Sequence, residues 1–157
     1  MAGIRLVWVG KSQEAFVGDG IEHYRRRILP LQPLEIVEVK AAAHSGRDTA
    51  TARQREAGHI LGKLHPRDTV VLLDEKGKTP DTAQFARQLK EWSGQGGRTL
   101  TFIIGGAYGV DDSVRERADA SMALSRLTFP HQLVRVLFLE QLYRALSLNA
   151  GHGYHHE

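Results

Sequence analysis

The chain has no cysteine among its 157 residues. That absence removes disulfides, cysteine-ligated zinc, iron–sulfur clusters and every thiolate nucleophile, so an enzyme of this sequence cannot attack a pyrimidine ring through sulfur. Its chemistry must rest on oxygen, nitrogen and backbone groups. Long apolar runs are missing too: none reaches the roughly 18 residues of a membrane span. The N-terminus lacks the pattern of a signal peptide. No membrane partner and a cytoplasmic location are therefore expected. Charge of one sign is also scarce, since 21 basic against 18 acidic residues leave a formal charge of only +3. This balance tolerates a polyanionic partner without demanding one. No internal repeat, linker or low-complexity tract interrupts the chain. One domain over residues 1–157 is expected, large enough to bury a core without disulfides or metals.

Several familiar motifs are absent as well. Gly77-Lys78-Thr79 imitates the end of a P-loop, but the first glycine of that loop would fall on Leu72. Gly105-Gly106-Ala107-Tyr108-Gly109 lacks the dinucleotide-binding spacing and follows the fourth expected strand rather than the first. It serves either close backbone approach to a ligand or a tight turn. No serine occupies a G-x-S-x-G elbow. His152, His155 and His156 gather three of the eight histidines at the end of the chain. The sequence places no carboxylate or further ligand beside them, and no metal site is expected.

What is present is a regular alternation. Apolar runs at 4–9 (IRLVWV), 34–39 (LEIVEV), 69–73 (TVVLL), 99–104 (TLTFII) and 120–124 read as strands. Helical patterns fill 12–29, 49–64, 80–92 and 111–118, with Phe16, Ile21, Tyr24 and Ile28 inward on the first, and Phe85, Leu89 and Trp92 inward on the third. Strands apolar on both faces and alternating with helices imply an α/β fold, a mostly parallel sheet covered by helices on both faces. Three loops, at 73–78, 105–109 and 124–129, would then open together on the carboxyl edge, where open α/β sheets bind ligands. Arg25, Arg26 and Arg27 form a basic cluster that is either a solvated helix face or a phosphate contact. The segment 41–48 reads as a polar loop with His44, Ser45, Gly46 and Arg47 exposed.

The segment 121–157 organises the rest. A compact loop leads to a helix of about 20 residues, with Pro130 suited to its first position and Thr128 to its cap. His131, Gln132 and Arg135 share one direction of the helical wheel, and Glu140 and Arg144 the opposite one. Apolar side chains, among them Val134, Leu137, Phe138 and Leu142, take much of the remaining circumference. Such a helix is either wholly buried in the core or shared with a second subunit.

The stretches LLDEKGK, FIIGGAYG, LSRLTFPHQLVRVLFLEQLYRA and the terminal YHHE, in this order and at these spacings, resemble one family across essentially the whole chain. It is the SPOUT-class family of ribosomal RNA large subunit methyltransferases H, which methylate N3 of a pseudouridine in bacterial 23S rRNA. The resemblance implies a C-terminal trefoil knot, a homodimer, and S-adenosylmethionine as cofactor. The substrate it implies is 23S rRNA, and the modest size and charge of the chain favour rRNA within the ribosome over isolated RNA. Carried over residue by residue, the cofactor contacts fall on Leu73, Gly105, Leu124, Ser125, Arg126, Leu127, Thr128 and Phe129. The tail residues Tyr154 and His155 match the functional terminus, with His155 as candidate general base and Tyr154 stacking on or positioning the base. The tail could instead serve only to order the dimer interface. His156 and Arg135 are the candidate RNA contacts. Family members commonly carry Arg or Lys at the position of His156 and a proline at that of Gly153. A non-catalytic rRNA-binding factor that keeps the fold is the reading from another class, and a flavodoxin-like nucleotide-binding module is the third.

Overall fold

The computed structural model describes residues 3–43, 48–94 and 96–154. His44 to Arg47 of the expected polar loop lie outside the described residues, as do His155 and His156. The described elements run in chain order as β1 (Ile4–Val9), α1 (Ala15–Ile28), β2 (Leu34–Val39), α2 (Thr49–Leu61), β3 (Thr69–Lys78), α3 (Thr82–Ser93), β4 (Leu100–Ile104), α4 (Asp112–Arg117), β5 (Ala120–Met122) and α5 (His131–Asn149). The strands form one sheet in the order β2-β1-β4-β3-β5, and every pairing is parallel. Leu6, Phe102 and Val71 sit side by side across its centre.

The pleat sorts the apolar strand residues between two cores. Leu6, Trp8, Phe102, Ile104 and Val71 pack on one face with Ile28, Phe85, Leu89, Phe138, Leu139 and Leu142, which come from α1, α3 and α5. Val7, Val9, Val70, Leu72 and Ile103 pack on the other with Ala57 and Ile60 of α2 and Val114 of α4. Helix α5 lies in the first layer between α1 and α3. Close approach to α1 is built into Gly20, where an added Cβ would come within 2.9 Å of Val136 Cγ1.

The element limits differ from the sequence expectation at points with local causes. Helix α1 starts at Ala15 rather than residue 12, because the segment before it is bonded to α5 instead: Gln13 N–H donates to Gln132 Oε1 (3.3 Å) and Gln132 Nε2 donates to the Lys11 carbonyl (3.2 Å). Phe16 points outward and is 62% exposed, while Val17 takes the buried place beside it. Helix α3 starts at Thr82, where Asp81 and Gln84 form a reciprocal capping box. Asp48 and Asp111 cap α2 and α4 through the backbone N–H groups of Thr51 and Ser113. Helix α5 has Pro130 as its cap residue rather than its first residue, and no side chain bonds there, so Thr128 is not the cap.

The largest difference is β3. Residues 74–78, expected as a loop, continue the strand, and both Leu73 and Lys78 register with Met122 of β5. Gly77 makes this possible, because a Cβ there would lie 2.8 Å from the Met122 backbone. The Ala123 N–H donates to the Lys78 carbonyl at 2.8 Å, so the chain leaving β5 is held against the extension of β3.

Candidate active site

The carboxyl ends of β4, β3 and β5 are neighbours in the sheet, and the segments leaving them enclose a cleft of about 600 Å³. That lies within the roughly 300–1,000 Å³ of typical small-molecule sites. Leu73, Ile104, Leu124, Leu127, Phe129 and Val134 give it apolar walls, and Gly105 to Gly109 present their backbone to it. Asp74, Glu75, Lys76, Tyr108, Arg115 and His131 add the charged and titratable groups. Asp74 is bound by Arg115 (Nε to Oδ2, 3.0 Å), which fixes both side chains at the rim. The His131 imidazole is held below the ordinary histidine range by burial and then by the positive charge of Arg135, which favours its neutral form.

The two glycine functions left open by the sequence divide between two residues. Gly109 has φ +82°, and the Gly106 carbonyl accepts its N–H at 3.1 Å, so Gly109 makes the turn. Gly105 makes a close approach, but to the protein itself: a Cβ there would fall 2.7 Å from Val110 Cγ1. Any side chain at 105 therefore displaces Val110 before it narrows the cleft.

Of the residues carried over as cofactor contacts, Leu73, Gly105, Leu124, Ser125, Leu127, Thr128 and Phe129 line this one cleft. Arg126 is exposed and is not among the lining residues. Leu127 is 73% exposed and Tyr108 43%, so two large apolar side chains stand at the cleft with much of their surface uncovered.

Arg135 requires a correction. It is fully buried, with NH2 donating to the Val9 carbonyl at 2.6 Å and NH1 to Ser12 Oγ at 3.1 Å, and its guanidinium lies over the Trp8 ring at 4.8 Å. Burial pulls its pKa down to about 10. A side chain so enclosed cannot reach RNA; it ties α5 to the end of β1. The wheel grouped it with His131 and Gln132 as a polar stripe, but no wheel shows that a strand end offers an acceptor and an aromatic face there. In the basic cluster of α1, Arg25 and Arg26 both bond Glu22, whose carboxyl they hold down to about 2. Arg27 lies 5.9 Å from the Tyr143 ring centre.

Tyr154 is not in the lining of the cleft. Its hydroxyl donates to Glu140 Oε2 at 3.1 Å, the Arg144 guanidinium covers its ring at 4.7 Å, and Tyr143 meets it edge-on at 4.7 Å. Glu140 in turn accepts from Arg144 (3.2 and 3.0 Å) and from Gln141 Nε2 (2.8 Å), while Thr82 Oγ1 donates to Gln141 Oε1 at 2.9 Å. Glu140, Gln141 and Thr82 line a second cavity of about 400 Å³ that shares Ala123, Leu124, Ser125 and Phe129 with the first. The two cavities therefore meet across the 123–129 segment, and the tail is linked to the second through the bond from Tyr154 to Glu140. Sequence reasoning did not single out Asp74, Glu75, Arg115, His131 or Glu140 as site residues. Asp74 and Glu75 had a usable signal in their place after a buried strand, and Glu140 in its i,i+4 spacing to Arg144. Among the described residues, no group of three or more His, Asp or Glu side chains could hold a metal ion.

Comparisons with known proteins agree with this geometry. The family model described as "Predicted SPOUT methyltransferase" matches residues 2–155. A protein of Geobacter sp. strain M21 named Ribosomal RNA large subunit methyltransferase H is 45% identical over 155 residues, covering 98% of this chain and 99% of the relative. A protein of the same name from Streptococcus pneumoniae strain CGSP14 is 40% identical over 156 residues, covering 97% and 98%. Among solved structures, a probable methyltransferase from Bordetella pertussis Tohama I shares the fold with a TM-score of 0.57 and 14% identity, over 92% of this chain and 95% of that one. With a family model spanning nearly every residue and relatives of this identity covered end to end, the chain belongs to the SPOUT methyltransferase family.

Proposed function

We propose that this methyltransferase transfers a methyl group from S-adenosylmethionine to N3 of a pseudouridine in 23S rRNA within the ribosome, as a cytoplasmic homodimer. The observation that carries the reading is the convergence of the 73–76, 105–110 and 123–130 segments on one cleft of cofactor size. The near-complete match to relatives named for large-subunit rRNA supplies the substrate class.

The residues fit the group. Leu73, Ile104, Leu127 and Phe129 offer apolar walls to a planar base, the glycine segment offers backbone donors and acceptors, and Asp74 and Glu75, balanced by Arg115 and Lys76, offer carboxylate acceptors to ligand hydroxyl and amino groups. Bound there, S-adenosylmethionine supplies an electrophilic methyl group on a sulfonium. Leu124, Ser125, Leu127, Thr128 and Phe129 hold it in place, and Gly105 keeps the opposite wall packed. Arg126, exposed beside them, would reach the cofactor only from the rim. Fixing donor and acceptor in line supplies a large share of the acceleration. The target nitrogen must also lose its proton, which His155 takes as general base, while His156 approaches an rRNA phosphate.

The dimer is supported by side chains left uncovered in one protomer. Phe16 and Leu127 are exposed at 62% and 73%, and Leu137 of α5 faces the second cavity rather than the core. The knot rests on membership of the SPOUT family, with which the close packing of residue 123 against the extension of β3 is compatible. Two measurements test the whole reading: calorimetry with S-adenosylmethionine, and mass mapping of modified nucleosides in rRNA from a deletion strain with and without this chain. Heat with the cofactor and restoration of one N3-methylated pseudouridine are expected. Cofactor binding without any restored nucleoside would overturn the assigned substrate.

A further inference from the structure

The Tyr154 side chain is held by more groups than a stacking residue needs. Its ring face carries the Arg144 guanidinium at 4.7 Å and its edge meets Tyr143. Its hydroxyl proton is directed at Glu140 Oε2. Glu140 is itself fixed by Arg144 and Gln141, and a carboxylate paired with a guanidinium offers acceptors only. The phenol has one proton, and that proton is committed. What its oxygen can still present to a ligand is a lone pair.

We infer that Glu140 fixes Tyr154 as a hydrogen-bond acceptor toward the substrate, and that Tyr154 thereby reads the N1–H that distinguishes pseudouridine from uridine. The inference rests on the substrate proposed above. A pseudouridine ring carries two N–H donors, at N1 and N3, because its sugar is attached through carbon. Uridine has only N3–H, since its N1 bears the sugar. The N3 proton goes to His155, the proposed general base, and N3 then turns its lone pair to the sulfonium methyl during transfer. N1–H is the donor left for an acceptor in the site. Burial, and then the bond to Glu140, raise the phenol pKa above its ordinary value, which keeps Tyr154 protonated and its hydroxyl turned to the carboxylate. Glu140 acts through Tyr154 and is a positioning residue.

The test uses the full chain and ribosomal particles carrying either pseudouridine or uridine at the target position. Methyl-transfer kcat/KM is measured on both, with cofactor affinity by calorimetry as control. The wild type should prefer pseudouridine. Tyr154→Phe removes the acceptor and should reduce that preference by about tenfold, the order expected when a hydrogen bond that reads one group is deleted. Glu140→Met frees the phenol proton and should reduce it similarly. Glu140→Gln can still accept from the phenol and should retain it. Cofactor affinity should stay within about twofold throughout. An unchanged preference in Tyr154→Phe, or no preference in the wild type, would overturn the inference while leaving the methyltransferase reading intact. No transfer by the wild type to either particle would overturn the proposed substrate instead.

Discussion

Arg135 shows how much one side chain can decide. Its guanidinium links the Val9 carbonyl, Ser12 and the Trp8 ring, and so holds the start of α5 against the end of β1, one residue short of Val136 on Gly20. Replacing it with alanine would leave the Val9 carbonyl unpaired and the Trp8 face uncovered. Arg135→Ala should cost about 2–4 kcal/mol of stability in urea unfolding, from a lost charge-assisted bond together with lost packing. Arg135→Lys should recover only part of this, because an ammonium cannot serve both acceptors and the ring at once. His131 gives a pH signature at the same end of the helix. Its folded-state pKa lies below the ordinary 6.5, so below that pH the unfolded chain takes up the proton first. The wild type should therefore lose stability relative to His131→Gln as pH falls from 7 to 5, and the two should run parallel above 7. A difference that grows instead as pH rises would contradict this environment for His131.

Among the elements, β3 departs furthest from its sequence reading. The signals at 74–78 are those of a turn: two acids, two lysines and a glycine. Gly77 is used instead to let two strands pass at a distance no side chain allows, 2.8 Å from an added Cβ to the Met122 backbone. Gly77→Ala should separate β5 from the end of β3, disturb 123–130 and weaken S-adenosylmethionine binding by more than tenfold in calorimetry. Retained affinity would mean that the β3 extension does not support the cleft. The tail behaves as a separate element. Gly151 turns the chain at φ +77°, the His152 N–H donates to the Ser147 carbonyl at 2.8 Å, and Tyr154 returns to Glu140. Deleting residues 154–157 should abolish methyl transfer and leave cofactor affinity within about threefold, since Tyr154 does not line the cleft. Equal loss of both would place the tail in the cofactor site.

For the whole molecule, the decisive element is α5. Phe138 and Leu142 are fully buried within one protomer, so a charge at either should unfold the chain rather than separate two subunits. Leu137 is the better probe of assembly, because it is half-buried and faces the second cavity. Sedimentation should show a dimer for the wild type, and Leu137→Glu should shift it toward a folded monomer with at least tenfold weaker association. A Leu137→Glu protein that stays dimeric would move the interface elsewhere on the surface, with Phe16 the next residue to test.

Strand positions were legible in the sequence because buried parallel strands are short, continuous and apolar, and such runs survive any change in their surroundings. β1 and β2 keep the limits that their apolar runs set. The convergence of three loops at one edge was legible too, because parallel strands must all end on the same side. Motif order and spacing alone reached the family. Tertiary structure decided where a polar group points once another element is beside it. The wheel could place Arg135 next to Gln132, but only the end of β1 offers it a carbonyl and an indole. Gly77 could be seen as a glycine, but only the passage of β5 shows why no Cβ fits. The Tyr154 hydroxyl is aimed by a carboxylate 14 residues earlier, across the turn at Gly151. Local patterns report which face of an element is apolar; the partner of each buried polar group is supplied by chain segments far away in sequence, and that partner decides the group's role.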